Sequence, residues 1–392
     1  MTTTREPQRL CVENVGQIKK ADVTFGDLTV LVGPQATGKS IFLQFLKLLV
    51  DPGHVLSELK KYGLDWNRKV DAFFNIYFGE GMGTAWKPGQ SRISLDDRDV
   101  DIEKLVSRQP KAKRESLFFI PAQRVLSLRD GWPRPFTDYS AGDPFAVREF
   151  SEKLRLLMEQ EFARQPLLFP QTKRLKSELR KLLDRAVFAG FGLRVDKSRP
   201  QKRLVLGGED GGGLPYMVWS AGQREFVPLL LGFYWLLPPA AVARRKEIEW
   251  VVIEELEMGL HPRAISVVAL MIFDLMQRGY RVCISTHSPQ ALEAVWVLKL
   301  LREHHAEPEA LLEVFQTPKT QPMRKLAGSV LGKEARVFYF DPTTGATRDI
   351  SALDPDAEEA GQSGWGGLSE FSGRANRVVA RAVASSQGEL AL

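Results

Sequence analysis

Short apolar runs, separated by glycine or polar breaks, fill the first fifty positions of the chain. Residues 9–32 contain three such runs, which predict strands, and the last one, LTVLV, makes Thr29–Val32 a central strand. The residues GPQATGKS follow it. After them comes IFLQFLKLLV, whose nearly continuous apolar positions predict a helix that is buried on most sides. The pattern is therefore a strand, a glycine-rich loop and a helix.

Three later apolar runs predict further buried strands, and polar residues follow each of them. Strands that alternate with helical patterns are typical of a mostly parallel α/β core, so we predict an α/β fold. The strands and the residues after them are Leu117–Ile120 with Gln123 and Arg124, Val251–Ile253 with Glu254 and Glu255, and Arg281–Ile284 with His287.

Two segments between these strands carry apolar residues at helical spacing. QPLLFPQ separates them, so we predict a short helical hairpin. The second segment is basic, and its cations fit either a solvated helix face or a contact with a phosphate backbone. The apolar faces are Phe150, Leu154, Leu157 and Met158, then Leu175, Leu179, Leu182, Leu183 and Ala186, and the basic residues are Lys173, Arg174, Lys176, Arg180, Lys181 and Arg185.

An uncharged stretch, Phe226–Ala243, has the minimum length of a membrane span. Three prolines and a glycine interrupt it, and it follows the polar Ser220. A deeply buried helix that ends near Pro238 fits these features better than a span does. We therefore expect no membrane association.

Composition narrows the class of protein. The 392 residues are 44% hydrophobic and 26% charged, which is typical of a soluble globular protein and excludes wholesale disorder. The formal net charge of +6 favours an anionic partner without identifying one. Cys11 and Cys283 are too few for a disulfide framework, and the first ten residues lack an apolar secretory stretch. We expect a cytoplasmic protein in a reducing compartment.

The loop after Thr29–Val32 fits the pattern GxxxxGK[ST]. In this pattern, backbone N–H groups and a helix N-terminus cradle phosphates, while the lysine and the serine reach the terminal phosphate and Mg²⁺. The strand before it and the helix after it favour a nucleotide site over a glycine turn without a ligand. The predicted nucleotide-binding residues are Gly33, Pro34, Gln35, Ala36, Thr37, Gly38, Lys39 and Ser40.

Further groups are candidates for chemistry on a nucleotide. Glu254 and Glu255 end an apolar strand, which suits one carboxylate for the Mg²⁺ shell and the next for polarising water. His287 follows the next strand, where it would contact a γ-phosphate or be an ordinary strand-end histidine. A small polar loop before the uncharged helix has another anion-binding shape, and its residues are Ser220, Ala221, Gly222 and Gln223.

In chain order, these residues resemble the ABC-type ATPases of the SMC/RecF/OLD-like branch. WSAGQRE looks like the signature motif, VVIEELEMGLHP looks like the Walker B motif and the D-loop, and STHSP looks like the H-loop. The resemblance covers residues 9–50, 117–124 and 217–292. It implies an ABC-type P-loop ATPase head with a mixed sheet, an inserted helical lobe and a small C-terminal α/β extension.

The resemblance also implies a mechanism. In such proteins, ATP lies between the P-loop of one subunit and the signature loop of the other, so that two heads close on ATP and part after hydrolysis. ATP and Mg²⁺ are the implied cofactors, and a homodimer or higher oligomer is the implied assembly. The assignments are Lys39, Glu255 (general base) and His287 (γ-phosphate sensor) for catalysis, Gln123 (the Q-loop glutamine) for nucleotide binding, Ser40, Glu254 and Gln123 for Mg²⁺, and Ser220, Ala221, Gly222 and Gln223 for action in trans.

Three mild departures from the family pattern bear on the expected rate of ATP hydrolysis. Glu254 stands in place of the usual Asp, Leu256 in place of Pro, and Ala221 in place of the first signature glycine. The longer glutamate shifts the implied Mg²⁺, so we expect slow turnover.

We predict five regions along the chain. They are a first ATPase lobe with the P-loop (1–50), an insertion with local hairpins (51–116), the Q-loop strand with a helical second lobe (117–218), the part with the signature, Walker B and H-loop motifs (219–300), and a C-terminal extension that serves as an interaction surface (301–392).

Two hypotheses for the biological role stay open. The first is a regulatory ATPase that holds or licenses a separate effector protein, similar to the AriA and PtuA types of bacterial anti-phage defence. The second is a RecF-like repair ATPase that closes on duplex DNA. A metabolic P-loop enzyme fits the joint motifs poorly. Besides the basic segment, the DNA hypothesis uses Lys111, Lys113, Arg114, Lys202 and Arg203.

Two pairs of ligand-type residues lack the context of a metal site. Asp354 and Asp356 have the spacing of a nuclease metal pair but follow no suitable strand. His304 and His305 are adjacent and have no partners at ligand spacing. We expect neither pair to bind a metal.

Overall fold

The structure is a computed structural model of the chain. It describes residues 8–109, 114–163, 166–198, 200–207, 213–239, 244–354, 364–368, 373–376 and 378–381. Three residues that the sequence analysis singled out, Lys111, Lys113 and Asp356, lie outside the described residues.

The described residues form sixteen strands and eleven helices. The strands are β1 (Arg9–Val15), β2 (Ile18–Thr24), β3 (Leu28–Val32), β4 (Arg92–Leu95), β5 (Arg98–Asp99), β6 (Leu117–Ile120), β7 (Leu128–Arg129), β8 (Trp132–Pro133), β9 (Leu167–Phe169), β10 (Gly192–Asp196), β11 (Arg203–Gly207), β12 (Gly213–Pro215), β13 (Trp250–Ile253), β14 (Arg281–Thr286), β15 (Ala335–Phe340) and β16 (Thr347–Asp349). The helices are α1 (Lys39–Val50), α2 (Pro52–Lys61), α3 (Val70–Tyr77), α4 (Ile102–Ser107), α5 (Phe145–Leu156), α6 (Ser177–Leu183), α7 (Ala221–Leu236), α8 (Pro262–Gln277), α9 (Pro289–Glu303), α10 (Pro308–Val314) and α11 (Gln321–Leu331).

A six-stranded sheet forms the centre of the fold, in the order β16-β15-β3-β14-β13-β6. Five of its strands are parallel, and β16 is antiparallel at one edge. All five residues of β3 are buried, because it has neighbours on both sides and is covered on both faces. The predicted α/β fold with a mixed sheet is therefore confirmed, and so is the central position of Thr29–Val32.

Alternate residues of these strands supply the two halves of the hydrophobic core. On one face, Val30 and Val32 of β3 belong to a cluster with residues of α7, α8 and α9. On the other face, Leu31 belongs to a cluster with residues of α1 and α3. Because helices cover both faces, the strands appear in the sequence as continuous apolar runs.

A second sheet, in the order β2-β1-β4-β5, is antiparallel and includes part of the insertion. The expected hairpin is present as β4 and β5, but the helices α2, α3 and α4 were not predicted. Phe73, Phe74 and Tyr77 of α3 are buried, and Phe74 packs edge-on against Phe45 of α1. The insertion therefore completes the core on the α1 side of the central sheet.

A third sheet, in the order β12-β11-β10-β9, is also antiparallel and belongs to the second lobe. It differs from the predicted helical hairpin, because β9 lies between α5 and α6. Leu168 and Phe169 of β9 are buried, and Phe169 pairs with Leu193 of β10. α5 packs against α7 and β6, whereas α6 packs against α8. The run LLF is thus a strand, and each helix has a different neighbour.

The C-terminal region adds a strand to the central sheet. Its strands β15 and β16 pair antiparallel and are joined by a turn that contains Thr344 and Gly345. β15 also pairs in parallel with β3, which was not predicted, and Val337 lies opposite Val30. The small C-terminal α/β extension is therefore built into the core of the fold.

The uncharged stretch forms most of α7, which ends at Leu236, close to the predicted end at Pro238. Pro228 lies inside this helix, and the residues from Phe226 onward are mostly buried in the core. Within the described ranges, none of the helices has both the length and the apolar character that crossing a membrane requires.

Candidate nucleotide site

The candidate residues lie at one edge of the central sheet, because the carboxyl ends of parallel strands meet there. Ile253, at the end of β13, pairs with Ile120 of β6 on one side and with Ile284 of β14 on the other. Thr286 of β14 in turn pairs with Val32 of β3. The same edge therefore receives the P-loop, Gln123, Glu254, Glu255 and His287.

Two glycines shape the P-loop, Gly33–Ser40. Gly33 has a φ of 141°, and a Cβ there would lie 2.5 Å from the carbonyl oxygen of Phe340. Gly38 has a φ of 94°, and a Cβ there would lie 2.4 Å from Cγ1 of Ile18. Neither position accepts a side chain without a shift of its surroundings. α1 begins directly after Gly38, so the N–H groups of its first turn open onto the loop.

The side chain of Lys39 lies inside the P-loop and is 6% exposed. Its Nζ donates hydrogen bonds of 2.7 Å to the carbonyl oxygens of Gly33 and Pro34, and lies 3.4 Å from Oγ1 of Thr37. Burial lowers the pKa of Lys39 to about 8, although the nearby carboxylates, Glu255 first among them, oppose this effect. A poorly solvated ammonium of this kind favours phosphate oxygens as acceptors.

Glu254 is the buried carboxylate of the site, with 2% of the residue exposed. Its Oε2 accepts a hydrogen bond of 3.1 Å from the N–H of Ala122, whereas its buried Oε1 has no hydrogen-bond partner among the described residues. Burial raises the pKa of Glu254, and the Ala122 N–H and the Ser40 hydroxyl lower it. A buried carboxylate oxygen that lacks a partner, close to a serine hydroxyl, suits Mg²⁺. Glu254 and Ser40 therefore fit the predicted metal.

Glu255 carries a partly exposed carboxylate on a constrained backbone. Its φ of 44° is uncommon for a residue other than glycine, and its N–H donates a hydrogen bond of 3.1 Å to Oγ of Ser285. Oε1 of Glu255 lies 3.7 Å from Nε2 of His287. His287 lowers the pKa of Glu255, burial opposes this, and the charges of Lys39 and Arg124 lower the pKa further. The carboxylate is thus ionised at neutral pH, as a proton acceptor must be.

Glu257 fixes the start of the H-loop and was not predicted. Its carboxylate accepts a hydrogen bond of 2.9 Å from Oγ1 of Thr286 and another from the backbone N–H of His287. These contacts set the position from which the His287 side chain approaches Glu255. The sequence signal for this residue is the third glutamate of the run EELE.

Arg124 was predicted to follow β6, but it was given no role. It is 0% exposed, and its guanidinium donates to the backbone carbonyl oxygens of Glu254 at 3.0 Å, of Glu255 at 3.1 Å and of Glu225 at 3.3 Å. Burial lowers the pKa of Arg124, whereas the carboxylates around it, Glu225 and Glu257 foremost, oppose this. Arg124 therefore connects β6, the end of β13 and α7.

The candidate signature residues form the start of α7. The N–H of Gln223 donates to Oγ of Ser220 at 3.2 Å, and the N–H of Ser220 donates to Oε1 of Gln223 at 3.1 Å. This reciprocal pair is typical of helix N-termini. Gly222 packs on the segment after β13, since a Cβ there would lie 2.9 Å from the carbonyl oxygen of Gly259. Ser220 and Ala221 are exposed, so the helix start is well formed and open to solvent.

Gln123 lies at the exposed start of the 3₁₀ turn Arg124–Ser127. Its neighbour Ala122 contacts Glu254, so the chain places Gln123 close to the carboxylate that fits Mg²⁺. Its own contact with the metal stays a prediction.

A second cluster of titratable side chains lies in the core beside α1. His54, Glu115 and Glu149 are buried, and their ligand atoms lie within 4.8 Å of one another, the spacing of a metal site. However, Nζ of Lys47 lies 2.9 Å from Glu115 and 3.4 Å from Glu149. Nζ of Lys153 also lies 2.8 Å from Glu115. Because two ammonium groups already pair with these carboxylates, we interpret the cluster as a buried ion-pair network.

The chain matches no curated protein. The Smc head domain from Pyrococcus furiosus, with an extended coiled coil and bound to the C-terminal domain of ScpA, is 9% identical, with coverage of 88% of this chain and 95% of that chain and a TM-score of 0.38. The SMC head domain from Thermotoga maritima is 11% identical, with coverage of 74% and 92% and a TM-score of 0.33. The dimeric ABC transporter cassette MJ0796 is 12% identical, with coverage of 72% and 90% and a TM-score of 0.33.

The family model covers more than half of the chain. It is described as "AAA domain, putative AbiEii toxin, Type IV TA system", and it matches residues 28–293. The matched residues run from β3 through the P-loop, the acidic end of β13 and the H-loop, which the fold brings to one edge of the central sheet. The chain therefore belongs to this family of AAA domains.

Proposed function

We propose that this protein binds ATP with Mg²⁺ and hydrolyses it slowly, in a homodimer or higher oligomer whose heads enclose the nucleotide. The observation that carries the proposal is the meeting of three charged groups at one sheet edge. Lys39 is a buried ammonium, Glu254 is a buried carboxylate with an unpartnered oxygen among the described residues, and Glu255 is an ionised carboxylate. Phosphate binding, cation binding and proton abstraction need these three kinds of group.

Each group has a distinct task in this proposal. Mg²⁺, when bound by Ser40 and Glu254, supplies positive charge that offsets the phosphate oxygens. Lys39 donates to the terminal phosphate in place of the loop carbonyls. Glu255 orients a water molecule and takes its proton, and His287, whose Nε2 lies 3.7 Å from that carboxylate, keeps it ionised and contacts the γ-phosphate.

Slow turnover follows from the length of Glu254. Its side chain is one methylene longer than the aspartate that the resemblance leads one to expect, and a misplacement of ångström size reduces the rate of a reaction much more than it reduces binding. Slow hydrolysis suits a switch better than a motor.

The exposed start of α7 supports a role in trans. Ser220 and Ala221 face solvent, and the first-turn N–H groups of a helix favour an anion. A second copy of the chain would meet these groups with the phosphates held in its own P-loop. Dimerisation would then depend on ATP.

For the biological role, we propose that ATP-dependent assembly controls a separate effector protein in a cytoplasmic anti-phage defence system. The description of the family names a toxin–antitoxin system, which has two components, and this supports a role that involves a second protein.

Duplex DNA is the alternative partner, and the basic segment supports it less than its sequence suggested. Arg174 is buried and paired with Glu161, Lys176 is bonded to Asp274, and Arg180 donates to backbone carbonyl oxygens. Cations that are already engaged within the protein contribute little to phosphate contacts.

The proposal is tested with Glu255→Gln, which keeps the shape of the base and removes its charge. We expect phosphate release to fall at least 100-fold while ATP binding persists, so that ATP and Mg²⁺ convert the variant to a stable dimer, as measured by light scattering. Lys39→Ala should neither bind ATP nor dimerise. Glu313→Gln, a change at an exposed carboxylate, is the matched control and should behave as wild type. Unchanged phosphate release in Glu255→Gln would refute the proposed base.

The same variant identifies the partner. Glu255→Gln with ATP and Mg²⁺ is used as bait in the native host, with Lys39→Ala as control, and both proteins and nucleic acids are quantified. A stoichiometric protein that is retained after nuclease treatment supports the effector hypothesis. Nuclease-sensitive duplex DNA without a protein, whose binding weakens steeply with added salt, overturns that hypothesis in favour of the DNA alternative.

A further inference from the structure

Arg124 is a buried cation whose hydrogen bonds to the described residues all go to backbone carbonyl oxygens. Its side chain is 0% exposed, yet the nearest carboxylate oxygen recorded for it, Oε2 of Glu225, lies 3.9 Å away, beyond hydrogen-bond distance. Its three hydrogen bonds go instead to backbone carbonyl oxygens, on two separate elements. Burial of a guanidinium costs free energy. We therefore expect that the backbone to which its N–H groups donate must be held in a particular geometry.

Two of these carbonyl oxygens belong to consecutive residues, Glu254 and Glu255. The planar fork of the guanidinium spans both, and this fixes the orientation of the two peptide groups relative to each other. On the other side of the turn, the N–H of Glu255 donates to Ser285. The positive φ of Glu255 persists only where the surroundings hold it, and these contacts hold it.

The third carbonyl oxygen belongs to Glu225, in the second turn of α7. This part of α7 also packs closely on the segment after β13, because a Cβ on Gly259 would lie 3.0 Å from Cγ of Glu225. Any movement of the start of α7 relative to β13 therefore acts on the hydrogen bonds of Arg124. A single guanidinium is therefore hydrogen-bonded to both α7 and the end of β13.

We infer that Arg124 is a positioning residue: it fixes the backbone of Glu255 to α7, so that the alignment of the base depends on the position of the helix that begins with the signature residues. The inference rests on the proposed hydrolysis of ATP and assigns to this residue the coupling between the two elements. The position of α7 and the orientation of the Glu255 carboxylate then change together.

The test is Arg124→Lys, which keeps the positive charge but loses the planar fork. We expect kcat for ATP to fall about 100-fold, while KM and the equilibrium dissociation constant for ATP stay within about twofold. The matched control is Arg174→Lys, a second buried arginine that donates to the backbone carbonyl oxygens of Tyr234 and Leu237, and it should leave kcat unchanged. If Arg124→Lys does not fold, Arg124→Gln takes its place with the same expected result.

A second readout does not depend on hydrolysis. Amide hydrogen exchange of residues 254–257 should be at least tenfold faster in Arg124→Lys than in Arg174→Lys, with β3 and β14 unchanged. A kcat within threefold of the control, an equal loss of ATP binding and kcat, unchanged exchange in this loop, or unfolding of both Arg124 variants would each overturn the inference. If wild type releases no more phosphate than Glu255→Gln, the proposed function is wrong, and the exchange measurement still decides the role of Arg124.

Discussion

Lys39 and Glu254 carry opposite charges, and burial moves both toward the neutral form. The pKa of Lys39 is lowered and that of Glu254 is raised, in each case mainly because the charged form loses hydration. The triphosphate and cation that we propose as ligands would restore charge partners to both groups. The two residues are thus prepared for ligands of opposite sign a short distance apart on the same sheet edge.

The lowered pKa of Lys39 predicts the pH dependence of ATP binding. Below pH 8 the free protein presents an ammonium, and above pH 8 it presents a neutral amine, whereas the bound phosphate keeps the lysine charged to a higher pH. By linkage, the affinity for ATP should be constant below pH 8 and fall by up to about tenfold per pH unit above it. Isothermal titration from pH 6.5 to 9.5 measures this.

Lys39→Arg is the control for that dependence, because arginine stays charged over the whole range. Its affinity, whatever its absolute value, should not fall between pH 8 and pH 9.5. An equal fall in the variant and in wild type would mean that another group is responsible.

Some residues of the candidate site could be predicted from the sequence, and others could not. The P-loop, Glu254, Glu255 and His287 were predicted from the sequence because their proposed chemistry depends on side-chain type at fixed spacing. Arg124 and Glu257 were missed because they act through backbone groups of other residues. Which carbonyl or N–H group a side chain reaches is decided by the register of neighbouring strands, and a single sequence does not contain that register.

At the scale of elements, a buried ion-pair network joins α1, α2, α5 and the segment before β6. Nζ of Lys47 is its centre, with Asp51 at 3.0 Å and Glu115 at 2.9 Å, and it also donates to the carbonyl oxygen of Leu117. Burial opposes the charge of Lys47, but the surrounding carboxylates outweigh it and hold the pKa of Lys47 well above its usual value. The network therefore fixes the end of the P-loop helix to the strand that leads to Gln123.

Replacing Lys47 should expose how much these elements depend on the network. In Lys47→Met the size of the side chain is kept, but buried carboxylates lose their partner, so the free energy of unfolding should fall by roughly 3–5 kcal/mol. Urea denaturation followed by circular dichroism measures it. Lys61→Met, which removes an exposed pair with Glu58, should cost less than about 1 kcal/mol. Equal losses in the two variants would show that burial of the network is unimportant.

The strands were easier to predict than the elements around them. The sequences of β3, β6, β13 and β14 are short apolar runs with polar ends, and few structures other than a buried strand fit this pattern. The helices α3 and α4 of the insertion were missed because they have only eight and six residues. The helical spacing of Phe73 and Tyr77 therefore extends over only about two turns, which is too short to stand out in the sequence. The segment of β9 was predicted to be a turn because QPLLFPQ contains two prolines. Only its pairing with β10 shows that LLF is a strand.

At the scale of the whole molecule, strands from the N-terminal and the C-terminal parts of the chain meet beside the P-loop. β3 is central only because β15 pairs with it, and Phe340 packs against Gly33. The sequence showed no chemistry beyond residue 300, and indeed the contribution of this region is made by backbone pairing. A strand that adds to a sheet from a distance of more than 300 positions leaves no local signal at its partner.

Truncation should therefore separate dispensable from essential parts of the C-terminal region. A chain that ends at Arg381 should bind ATP as the full chain does. A chain that ends at Leu331 lacks β15, so that β3 has an unpaired edge, and it should lose ATP binding and aggregate. ATP titration and light scattering of the two proteins measure this. Monomeric behaviour and unchanged affinity in the shorter chain would show that β15 is not needed.

The pairing of β3 with β15 also sets the earliest time during synthesis at which the central sheet can be completed beside the P-loop. The ribosome adds roughly 5–20 residues per second, so about 15–60 s pass between synthesis of Leu28 and of its partner Ala335. During that interval the nascent chain contains a complete P-loop sequence but not the strand that supports it. The proposed nucleotide site is therefore incomplete until β15 has been synthesised, and until then the growing chain must keep the edge of β3 from pairing with other strands.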